Sequence, residues 1–85
     1  MKNRVVIARE VTVPELFFKN EGRLTAFPRR VELDGREYTF MDGLRSIIQK
    51  GQQIIQIFDM TDGARDYRLQ FDNTQRSWTL VDMTV

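Results

Sequence analysis

The sequence predicts a small α+β domain: a mainly antiparallel, curled sheet, barrel-like in tendency, with one short helix at residues 43–50. Three observations predict it. The Asp-Gly turn at 34–35 joins alternating apolar segments into a hairpin. Two further turns, near 62–63 and 73–74, independently place the same side chains on one face. A third Asp-Gly pair opens a segment with apolar residues at i, i+3 and i+4, closed by a glycine, as in a capped helix. The chain has 85 residues and no repeat or linker, so it reads as one domain. A chain of this size buries only roughly 60–65% of its unfolded surface, which leaves a thin stability margin.

The elements follow in order. VVIAREVTV (5–13) is rich in β-branched residues and reads as a strand that Pro14 ends. PELFFKNEGRLTAFP (14–28) reads in two ways. One is a hairpin turning at Asn20-Glu21-Gly22, with arms Leu16 to Phe18 and Leu24 to Phe27. The other is a loop held down by its aromatics. RRVELDGREYTFM (29–41) is a hairpin, because Asp34-Gly35 suits a type I′ turn with positive φ at both central residues. A two-residue loop sets Val31 opposite Tyr38, Arg29 opposite Phe40 and Glu32 opposite Glu37. The apolar set Val31, Leu33, Tyr38 and Phe40 then shares the buried face, and the like-charged glutamates face water.

Asp42 precedes GLRSIIQK, and Gly51 follows it. An N-cap, the stripe Leu44, Ile47 and Ile48, and a C′ glycine predict a helix of about two turns lying on the sheet. In FDMTDGARDYRLQFD (58–72), a two-residue turn at Asp62-Gly63 sets Phe58 against Tyr67 and Ile54 against Phe71. A turn at Asn73-Thr74 sets Leu69 against Trp78, Tyr67 against Leu80 and Arg65 against Asp82. The expected core is Val31, Leu33, Tyr38, Phe40, Leu44, Ile47, Ile48, Phe58, Tyr67, Leu69, Phe71, Trp78 and Leu80.

Composition limits the chemistry. No cysteine means no disulfide, zinc–thiolate site or cysteine nucleophile, and no histidine removes the commonest base and metal ligand. Ser46 and Ser77 are the only serines, so a Ser-His-Asp triad is impossible. The aspartates of 58–72 lack the alternate spacing and distal glutamate of a calcium loop. They read as turn and surface residues, with Asp59 and Asp66 facing each other on the outer side. The acids sit at turns, caps and wet strand faces, not as a catalytic pair in a cleft. The expectation is a non-enzyme with no cofactor and no metal.

No run approaches the ~20 apolar residues of a membrane helix. The start MKNRVVIAREV is interrupted by Arg9 and Glu10, unlike a signal peptide. The expected setting is therefore soluble, cytoplasmic and away from membranes. Residues 1–30 carry seven basic and three acidic residues, and residues 31–85 carry six basic and nine acidic. A basic end on an acidic body favours an anionic partner, or attracts the acidic part of its own chain.

Two surfaces are candidates for binding. Arg23, Phe27, Arg29, Arg30 and Arg36 combine guanidinium groups with a ring, as nucleic-acid contacts do, with Tyr38 a second stacking partner. The same arginines also suit a solvated strand edge with Phe27 in the core. Phe17 and Phe18 are adjacent in a strand, so one turns in and the other out, where it can meet a protein partner. An open sheet edge favours a homodimer for the same reason. The expected function is a non-enzymatic adaptor that binds a protein or itself, the alternative being a small nucleic-acid-binding module.

GREY (35–38), DGARDYRL (62–69) and WTL (78–80), in that order, give the chain a resemblance. It resembles a family of short uncharacterised bacterial proteins whose genes often neighbour those of translesion DNA polymerases. The resemblance spans residues 28–82 and rests on turn and core residues. It implies a Pro-Arg-Arg entry, a Gly-Arg-x-Tyr hairpin, a central helix, a Tyr-Arg-Leu strand and a closing tryptophan strand. It implies no catalytic residue.

Overall fold

The computed structural model describes residues 3–20 and 22–85. Seven strands follow one another: β1 (Arg4–Asn20), β2 (Leu24–Leu33), β3 (Arg36–Thr39), β4 (Asp42–Lys50), β5 (Gln53–Thr61), β6 (Asp66–Asp72) and β7 (Ser77–Thr84). They form one antiparallel sheet in the order β3-β2-β1-β7-β6-β5-β4. Among the described residues there is no helix. The fold is all-β, which corrects the α+β expectation.

The helix expected at 43–50 is strand β4, paired with β5 from Asp42↔Thr61 to Lys50↔Gln53. The central helix that the resemblance implied is likewise replaced by this strand. Eight residues are too few for a helix to hold without strong packing, and Ile47-Ile48 are β-branched. Gly51 is the first residue of a two-residue loop, at φ 59, the place a type II′ turn gives to glycine. Leu44, Ile47 and Ile48 therefore lie on an edge strand, 68%, 55% and 45% exposed, and are not core residues as expected.

The curled, barrel-like sheet is corrected as well. Among the described residues no ladder joins β3 to β4, so the sheet stays open with an edge at each. Its direction changes where β1 passes from one partner to the other. Residues 4–11 pair with β7 and residues 12–20 with β2. Register shifts fall between Val6 and Arg9 and between Thr12 and Leu16. Ala8, at φ 52, sits in the first of these, and Pro14 sits in the second, so the proline marks a bulge and does not end the strand.

The consequence is visible in the rings. Three strands separate β2 from β5 in the sheet order, which in a flat sheet is about 19 Å at ~4.8 Å per strand. The Phe27 and Phe58 centroids are 5.6 Å apart. The β3-β2-β1 ladder therefore lies against the inner face of the β7-β6-β5 ladder. Val11, Phe27, Val31, Phe40, Phe58, Met60, Tyr67, Leu69, Leu80 and Met83 fill the space between them. Leu33, Tyr38, Phe71 and Trp78 pack against this core from its margins.

The β2–β3 register is the one expected, with Val31↔Tyr38 and Glu32↔Glu37 around Asp34 and Gly35 at φ 51 and 78. The segment 14–28 is a hairpin, pairing Phe17↔Phe27 and Phe18↔Ala26, while Glu21 of its turn lies outside the described residues. The last two hairpins are each shifted by two. Phe58 pairs with Leu69 and Tyr67 with Met60, not with each other. Leu69 pairs with Leu80, and Phe71 with Trp78. Both loops hold four residues because an aspartate organises each one. Asp62 Oδ1 accepts hydrogen bonds from the Ala64 and Arg65 amides. Asp72 Oδ1 accepts them from Thr74 and Gln75.

Candidate interaction surface

The acidic stretch is committed to structure. Asp59 faces Arg68, not Asp66 as expected, and accepts a hydrogen bond from its Nε at 2.8 Å. Asp82 faces Arg68 in the next ladder, not Arg65. Asp62 Oδ2 accepts a hydrogen bond from the Tyr67 hydroxyl at 2.7 Å. Burial first, and this bond second, push the Tyr67 phenol up to about 12. Burial pushes the Asp62 carboxyl up, but the Arg65 and Ala64 amides and the Tyr67 hydroxyl together bring it below its ordinary value. Among the described residues no group of three or more acids could hold a metal ion.

The basic stretch divides between two faces, because adjacent strand residues point opposite ways. Phe27 is fully buried, with its ring 5.6 Å from that of Phe17 and under Lys19 Nζ at 5.1 Å. The Arg29 guanidinium stacks over the Phe17 ring at 4.3 Å. Arg30 turns the other way, toward Glu15 at 3.9 Å, and its Nε is buried without a hydrogen-bond partner. Arg23 and Arg36 are exposed on separate hairpins. Tyr38 is half-buried against Tyr67, with centroids 5.5 Å apart. Phe17 turns into the core margin, and Phe18 turns out with 63% of its surface exposed.

The surface that sequence reasoning missed is β4. One of its sides is paired with β5, and the other has no strand partner among the described residues. The opposite edge, β3, is four residues long and carries Arg36 and Glu37, which discourages pairing. β4 is nine residues long and presents three large exposed apolar side chains. Gly43 lets it lie close on β5, since a Cβ there would strike Met60 Sδ and come within 2.8 Å of the Asp59 carbonyl. Lys19 reaches across from β1 to Asp42 Oδ1 at 2.5 Å and to the Gly43 carbonyl at 2.9 Å.

A cavity of about 400 Å³ opens between Arg23–Ala26 and Arg45, floored by Phe58, Phe71 and Trp78. Arg45 donates to Gln56 Oε1 at 3.1 Å along its wall. The signal for this edge was in the sequence: SIIQK and QIIQI, each with an Ile-Ile-Gln run, flank Gly51-Gln52, and two β-branched segments either side of a two-residue glycine turn suit the arms of a hairpin.

Fold and surface together define an all-β sheet module with one guarded and one unguarded edge. No family model, curated protein or solved structure matches the chain.

Proposed function

We propose that the chain is a non-enzymatic binding module that engages a protein partner, or a second copy of itself, through the open edge of β4. The observation that carries this reading is the exposure of Leu44, Ile47 and Ile48 on an edge strand. Unpaired backbone groups beside apolar side chains are what strand addition uses. The backbone supplies affinity and the alternate side chains supply selectivity. Phe18 is a second apolar contact, on the other ladder.

A nucleic-acid-binding module using Arg23, Arg29, Arg30 and Arg36 ranks second. Its stacking ring, Phe27, is buried, and its arginines are dispersed over two faces and two hairpins. That alternative requires duplex binding at ~50 mM salt with a log–log salt slope of about −2 to −4, flattened by replacing Arg29 and Arg30 with glutamine.

Sedimentation from about 1 to 100 µM tests the preferred reading. The expected result is reversible association that the pair Leu44→Lys and Ile48→Lys abolishes, with no change in thermal midpoint at dilutions where the wild type is itself monomeric. A variant that associates equally well overturns the β4 edge as the contact; a wild-type chain that stays monomeric throughout removes the second copy and leaves a protein partner as the occupant of the edge.

A further inference from the structure

We infer that β4 pairs antiparallel with β4 of a second copy about a twofold axis through Ser46. The inference rests on the edge-binding reading and fixes both its partner and its register.

Backbone direction limits the choices. Gly51-Gln52 is a two-residue loop, so Lys50 and Gln53 exchange both of their backbone hydrogen bonds. Strand alternation then turns the backbone groups of Asp42, Leu44, Ser46, Ile48 and Lys50 toward β5. Those of Gly43, Arg45, Ile47 and Gln49 face outward. The Lys19 ammonium on the Gly43 carbonyl agrees with this, because that oxygen must face away from β5 to receive it. Lys19 takes one lone pair of the carbonyl and leaves the other.

A second β4 must present its own outward residues to these, so odd-numbered positions pair with odd-numbered ones. Symmetry leaves three central registers. Centring on Arg45 sets it against its own copy, and like charges directly opposite repel. Centring on Ile47 sets Lys50 against Leu44 and leaves Asp42 without an opposite charge.

Centring on Ser46 matches the whole strand. Asp42 meets the second copy's Lys50, Leu44 meets its Ile48, and the small serines meet on the axis. On the other face Arg45 meets Ile47, whose apolar surface lies along the guanidinium stem. Lys19 and the Gly43 amide hold the Asp42 carboxyl below its ordinary value, so it is anionic at neutral pH. Ile55 and Ile57, half-buried beside Ile48 and Ser46, extend the apolar stripe across both copies. The strand is thus complementary to its own reverse in charge, size and hydropathy, which is what a twofold interface requires.

Cross-linking reads the register directly, because the chain has no cysteine. On the axis the two Ser46 residues form a non-hydrogen-bonded pair with Cα atoms about 4.5 Å apart, within the disulfide range of about 4.4–6.8 Å. Two Leu44 residues would lie about 13 Å apart, out of reach. Under mild oxidation Ser46→Cys is expected to become a disulfide dimer while Leu44→Cys stays a thiol. Asp42→Lys and Lys50→Glu should each weaken self-association about tenfold, and an equimolar mixture of the two should restore it by regenerating an opposite-charge pair at each end.

A dimer in which neither cysteine cross-links, or both do equally, overturns the register and leaves the edge reading standing. A wild-type chain that never associates overturns the pairing of two copies altogether.

Discussion

Asp62 uses both carboxylate oxygens inside its own hairpin, one on the Ala64 and Arg65 amides and one on the Tyr67 hydroxyl. The price of burying a phenol is met by that last bond, and ionising Tyr67 would put two negative charges 2.7 Å apart. Its folded pKa, about 12, lies above the unfolded value of about 10. The neutral phenol therefore stabilises the fold fully below pH ~10, and this contribution is lost as pH rises from there toward ~12. In a Tyr38→Phe background, absorbance at 295 nm should rise with a midpoint near 12; a midpoint near 10 would mean that the phenol is neither buried nor held by Asp62.

Gly43 is constrained by space. A Cβ there has Met60 Sδ and the Asp59 carbonyl in its way, so Gly43→Ala should cost about 1–3 kcal/mol, read as a lower urea midpoint. An unchanged midpoint would show that β4 does not lie this close on β5.

At the scale of elements, what the sequence disclosed depended on the turn. Asp34-Gly35 admits one loop length and one turn type, so β2 and β3 were readable pair by pair. Asp62-Gly63 looked alike, yet Asp62 opens a four-residue loop by binding the next amides, and Asp72 does the same. Each register moved by two, and a slip of two returns every side chain to the face it left. The inward set Phe58, Tyr67, Leu69, Phe71, Trp78 and Leu80 was therefore legible even though its pairings were not. β4 was misread because Leu44, Ile47 and Ile48 fit a helical stripe, while an edge strand needs no buried face to give it alternation. The binding candidates suffered from the same period of two, which sends Arg29 and Arg30 to opposite faces.

Hydrogen exchange on the monomer checks the strand assignment residue by residue. The amides of Leu44, Ser46 and Ile48 turn to β5 and should be slow, while those of Arg45, Ile47 and Gln49 should exchange quickly. Uniform protection across 43–50 in the monomer would fit a helix and contradict the alternation.

For the whole molecule the decisive strand is β1. It pairs with β7 through Val5↔Met83, almost the full length of the chain apart, and with β2 through Phe17↔Phe27. No local signal announces such a double pairing, because partners so distant in sequence leave no mark on the segment itself. Phe27 shows the difficulty: beside three arginines it read either as a stacking ring or as a core residue under a solvated edge, and the bend in β1 makes it the centre of the core. That bend brings Phe27 of one ladder onto Phe58 of the other in an edge-to-face pair, with an interplanar angle of 77°. Such ring pairs contribute about 0.5–1.5 kcal/mol beyond the area they bury. Phe27→Leu and Phe58→Leu keep most of the apolar volume, so both single variants should remain folded. A double-mutant cycle from urea unfolding is expected to give a coupling of about 1 kcal/mol. Effects that add to within ~0.3 kcal/mol would mean that the rings do not meet, and the two ladders would then have to be held apart by some other arrangement of β1.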